Sequence, residues 1–92
     1  VGGQTVRKEN AMFGWKAKYQ TERTEGNFYL DGMAVNISLL IGRGERDRDA
    51  KLIAYGMKRA MENFAERFNY HEKLKYLYEL YPEIKKLKLE EI

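Results

Sequence analysis

The sequence predicts a small α+β domain: a three-stranded antiparallel β-meander packed on one long helix, then a second helix and a short C-terminal segment. Three observations carry that expectation. Apolar and polar residues alternate along residues 13–20 and again along 33–41, the period of a strand with one covered face. An Asp31-Gly32 pair stands between two apolar runs, the strongest short-range signal of a hairpin. Beyond Gly44 the apolar spacing changes to three and four, the period of a helix.

Residues 1–10 are glycine-rich, then polar, and read as a loose lead-in to a single domain spanning 1–92. The meander is expected over 13–42. In its first strand Phe13, Trp15, Ala17 and Tyr19 point one way, and Lys16, Lys18 and Gln20 the other. The Asp31-Gly32 turn would pair Leu30 with Met33 and Phe28 with Val35. The third strand sets Met33, Val35, Ile37, Leu39 and Ile41 against Ala34, Asn36, Ser38 and Leu40. A main helix follows over 46–68. It would turn Ile53, Met57, Ala60, Met61, Phe64 and Phe68 to the sheet, with Ala50, Ala54 and Gly56 permitting close approach. Asn69 is its stop. The second helix covers 70–81 with Tyr70, Leu74, Leu77, Tyr78 and Tyr81 on its main face, and Pro82 ends or restarts it. Residues 83–92 suit a short helix through Ile84 and Leu87, or an edge strand through the alternation at 86–89.

Composition narrows the chemistry. Apolar residues are 43% and charged residues 34% of the chain, which suits a globular fold rather than a disordered one. Seventeen Lys and Arg against fourteen Asp and Glu leave +3, which permits an acidic partner without demanding one. The absence of cysteine excludes disulfides, thiolate zinc sites, iron–sulfur clusters and a cysteine nucleophile. No apolar run approaches the ~20 residues of a membrane span. The compartment stays open: a cytoplasmic one is slightly favoured, and a processed exported chain fits a start at Val1.

The chain has one serine, Ser38, and one histidine, His71, so a Ser-His-Asp arrangement has almost no raw material. Glu45, Asp47 and Asp49 are interleaved with Arg43, Arg46 and Arg48, whose charge opposes a cation site. The expectation is a non-enzymatic chain with no metal and no cofactor.

Two binding readings remain. In the first, Gly42 and Gly44 let backbone N–H groups face an anion where a helix begins, and Arg43, Arg46 and Arg48 grip it. The competing explanation is that Asp47 and Asp49 cap that helix themselves. With Lys16 and Lys18 on the outer sheet face beside Asn36 and Ser38, these arginines would make phosphate contacts. The leading expectation is therefore a small nucleic-acid-binding or accessory module using Lys16, Lys18, Arg43, Arg46 and Arg48. Gly44, then Ala50-Lys51, then Ala54 resembles the closing part of a double-stranded-RNA-binding domain. That resemblance implies a meander, a glycine turn and a cation cluster at Asp47 and Arg48, where this chain has one acid.

In the second reading the chain is a protein-interaction module: an inhibitor, adaptor or assembly subunit. Tyr70, Tyr76, Tyr78 and Tyr81 crowd the second helix, and Tyr76 and Leu80 lie well round from its main face. A helix apolar on more than one side must cover more than one side. The expected interface is Tyr70, Tyr76, Leu80 and Tyr81, with another protein or a second copy of this chain as partner.

Overall fold

The computed structural model describes the backbone of residues 7–92 and the side chains of residues 23–92. Among the described residues four helices follow one another: α1 (Arg7–Arg43), α2 (Arg48–Arg67), α3 (His71–Leu80) and α4 (Pro82–Lys86), then a 3-10 turn at Leu89–Glu91. Among the described residues there is no strand. The α+β meander is thereby overturned: residues 13–42 lie in α1, and this is an all-helical domain.

The reason is geometric. Successive residues on a helix turn by about 100°, so residues two apart point to nearly opposite sides. A period-two string on a helix is apolar on both sides. Along α1, Leu30, Met33, Ala34 and Ile37 are buried, whereas Phe28, Val35 and Leu39 are exposed. The two sets that the sequence merges into strand faces are the inner and outer faces of one helix. Asp31-Gly32 sits mid-helix, and Asp31 forms an ion pair with Lys73 of α3, Nζ to Oδ1 at 2.7 Å.

The turn between α1 and α2 begins at the second of the predicted glycines, Gly44, while Gly42 lies in the last turn of α1. Gly44 N–H donates to Leu40 O at 2.8 Å and closes α1. A Cβ on Gly44 would stand 2.8 Å from Lys51 Cβ, so only glycine lets the end of α1 lie this close to the first turn of α2. Asp47 is extended, at φ −140° and ψ 100°, and its side chain accepts from Asp49 N–H at 3.0 Å as the N-cap of α2. Asn69 stops α2 in the left-handed region at φ 61°, and Tyr70 N–H reaches back to Ala65 O at 2.7 Å, the six-to-one bond of a Schellman ending. Pro82 occupies the first turn of α4, where its missing N–H costs nothing. Residues 83–92 are thus helix and 3-10 turn rather than edge strand.

α2 packs antiparallel on α1 through a stripe that the predicted one matches in part, since Ala50, Ala54 and Met61 are buried and Met57 and Phe64 pack against the core. Ala65 is buried as well, whereas Ile53 and Phe68 are exposed. Three alanines at the contact bring the two helix axes close, and the bulkier residues are turned aside. α3 and α4 add Leu77, Ile84 and Leu87 to the core, which Tyr70 completes. Within that core Lys58 is also buried, and its Nζ donates to Lys85 O at 3.0 Å and Leu87 O at 2.8 Å. It caps the orphan carbonyls at the end of α4.

Candidate interaction face

The outer side of α1 is built from residues one and two turns apart. Phe28, Gly32, Val35 and Leu39 fall within about 60° of arc. Phe28 is 68% exposed and Leu39 67%, values unusual for large apolar side chains placed in line. The core residues of the same helix lie opposite.

α3 borders this face on one flank. Two polar links mark that flank: Lys73 of α3 to Asp31, and Ser38 Oγ donating to Glu83 Oε2 of α4. Asp31 and Ser38 are seven residues apart, about two turns, so both mark the same flank of α1. Between Lys73 and Glu83, α3 presents Tyr76, 52% exposed, and Leu80, 53% exposed. These are one turn apart on the side bearing Lys73, whose Nζ lies 5.4 Å from the Tyr76 ring centroid. An apolar surface therefore runs from α1 onto α3.

Of the interface residues predicted from sequence, Tyr76 and Leu80 are on this surface and the other two are not. Tyr70 is buried under Phe64, with ring centroids 5.5 Å apart. Tyr81 packs half-buried against the core at the junction of α3 and α4. Sequence reading missed Phe28, Val35 and Leu39. Their signal was present as alternation, and it was assigned to the wrong period.

The predicted phosphate contacts do not share a sheet, because there is none. Lys16 and Lys18 stand on the backbone of α1, and their side chains lie outside the described residues. Arg43 is exposed in the last turn of α1, where a cation complements the helix dipole. Arg46 is exposed in the turn. Arg48 donates through Nε to Ile92 O at 3.0 Å. The amino end of α2 is held by the Asp47 carboxylate, so the acids own the position that an anion would take. With the meander absent, the resemblance to a double-stranded-RNA-binding domain loses its sheet.

Cations gather elsewhere. Lys75, Lys85 and Lys86 line an open groove of about 650 Å³ between α3 and α4, together with His71 and one acid, Glu79. Beside it Tyr78 donates to Glu62 Oε2 of α2 at 2.5 Å. Burial, then the bond to Glu62, raises the Tyr78 phenol above its ordinary value. At the other end of the bundle Arg23, Gly26, Tyr29, Phe64, Phe68 and Tyr70 surround an aromatic groove of about 620 Å³.

Among the described residues no group of three His, Cys, Asp or Glu side chains could hold a metal ion. Nor is any helix among them long and apolar enough to cross a membrane. No protein family matches this chain, and no curated protein or solved structure matches it.

Proposed function

We propose that this chain is a helical protein-interaction module that binds through the outer face of α1 and the adjoining edge of α3. One observation carries the reading: Phe28 and Leu39, two thirds exposed, lie in line on the side of α1 turned away from the core. Apolar residues scattered singly on a surface need no explanation, whereas a contiguous stripe does. Here Val35 continues the stripe and Tyr76 and Leu80 border it, tyrosine being a favoured interface residue.

Native gel filtration of the tagged chain in extract of the cells that make it tests this. The expected result is elution well above the 10.9 kDa monomer, returning to the monomer position in a Phe28→Ser/Leu39→Ser variant. Elution of the unaltered chain as a free monomer would overturn the reading.

A second reading, anion or nucleic-acid binding, is favoured by the lysine-lined groove at Lys75, Lys85 and Lys86. Titration with generic RNA and DNA at low and high salt decides it. Salt-dependent binding lost in Lys75→Glu/Lys86→Glu supports it. No binding at low ionic strength removes it.

A further inference from the structure

We infer that the occupant of the outer α1 face is a second copy of this chain, bound antiparallel about a two-fold axis that passes near residues 33–34. The inference rests on the interaction reading above and adds the partner and its orientation.

A two-fold interface is self-complementary: if one residue meets another, the reverse contact occurs as well. The outer face of α1 meets that condition. Phe28 and Leu39 lie equally far from a point between residues 33 and 34, and so do Gly32 and Val35. Antiparallel helices centred there set each Phe28 against the partner's Leu39. Each Val35 then meets the partner's Gly32, which has nothing within 4 Å of a Cβ position. Bulk is thus placed opposite bulk at the ends, and a gap receives a side chain at the centre.

Charge selects the orientation. Glu25 and Arg43 are eighteen residues apart, about five whole turns, so they share one flank of the stripe. Both are exposed. They are nearly symmetric about the same axis, and in an antiparallel pair residues of the same flank meet. Each Glu25 therefore stands beside the partner's Arg43, giving two ion pairs. A parallel two-fold pair would instead bring opposite flanks together, so Glu25 and Arg43 would face neither each other nor their own copies across the seam. Tyr76 and Leu80 lie on the opposite flank, between the Asp31 and Ser38 links, and so level with the axis. They close the second side of the seam.

Sedimentation equilibrium of the purified full chain, from low micromolar to sub-millimolar, gives the test. The expected species is twice 10.9 kDa. Glu25→Arg and Arg43→Glu should each weaken self-association by roughly tenfold, because each reverses two exposed pairs. An equimolar mixture of those two variants should recover the original affinity as a heterodimer, since every contact is again between opposite charges. Circular dichroism confirms that the variants keep their helices. A monomer at every concentration overturns the inference, as does a dimer indifferent to charge reversal and mixing. A chain that is monomeric when pure but complexed in cell extract removes the second copy and leaves the interaction reading standing. Monomer in both settings removes the two together.

Discussion

The guanidinium of Arg23 stands over the ring of Tyr70, its central carbon 3.8 Å from the ring centroid. The two residues are far apart in sequence: Arg23 lies within α1, and Tyr70 in the turn between α2 and α3. The same guanidinium donates to Phe68 O at 3.0 Å and Asn69 O at 3.3 Å, which are carbonyls left over where α2 stops. One side chain therefore ties the α2–α3 turn onto α1.

Gly26 makes this arrangement possible, being one turn from Arg23 and directly beneath Tyr70. A Cβ there would stand 2.6 Å from Tyr70 Cζ, so the Tyr70 ring, packed on Phe64, would have to shift. Gly26→Ala should destabilise the chain by about 1–3 kcal/mol through overpacking. In a Tyr70→Leu background the sign should reverse, because alanine gains roughly 1 kcal/mol over glycine in a helix. Urea unfolding of the four chains measures both.

The bond from Tyr78 to Glu62 predicts a stability that falls at high pH. The folded phenol is raised above the ordinary value near 10, by burial first and the Glu62 bond second. The stabilisation is thus fully present below pH 10, where both states are protonated. It is lost as pH rises from there toward the folded value, because the unfolded chain releases its proton first. Tyr78→Phe should be less stable by about 1–2 kcal/mol at neutral pH. Its unfolding midpoint should also decline less steeply above pH 10 than that of the unaltered chain. Equal slopes would refute the assignment.

Lys58 is a structural lysine. Replacing it with methionine keeps most of its volume and leaves the Lys85 and Leu87 carbonyls without their donor. The expected loss is about 2–4 kcal/mol. Hydrogen exchange should speed up first in residues 82–92, which this side chain holds to α2, and later in α1. Uniform acceleration along the chain would show that the cap is not local.

The two faces of α1 should respond oppositely to substitution. Ile37 is fully buried, and Ile37→Ala should cost about 2–5 kcal/mol. Leu39→Ala, two residues on, removes a comparable side chain that is 67% exposed. At concentrations where the chain is monomeric it should change stability by less than about 0.5 kcal/mol. Thermal melts of the pair read the difference. Similar losses at both positions would mean that Leu39 is covered within a single chain.

Much of the C-terminal half was legible in the sequence. The turn at Gly44, the Asp47 cap, the Asn69 stop and the Pro82 restart are set by local chemistry that tolerates few alternatives. The helices bounded by these signals fall within one or two residues of their expected limits. Tyr76 and Leu80 were identifiable as outward-facing because the period of α3 was read correctly. The N-terminal half was misread because Asp31-Gly32 and the alternation at 33–41 are also what a helix with two apolar sides presents. The inward stripe of α2 was legible in part: Ala50, Ala54 and Met61 were placed at the contact and are buried. Ala65 is small and was passed over, and the larger Ile53 and Phe68 were turned inward by an apolarity count, although closeness of approach favours the small residues.

By itself, the sequence determined where helices stop and start, which chemistries are excluded, and that apolar residues recur along residues 28–41. Only the tertiary structure decided that those residues belong to two faces. On a strand, residues two apart would share one face, whereas on a helix they point to nearly opposite sides and the backbone is satisfied within the helix itself. What separates the two is whether α2, α3 and α4 arrive to cover one side of such a helix. They do so against Leu30, Ala34 and Ile37, and leave Phe28, Val35 and Leu39 uncovered.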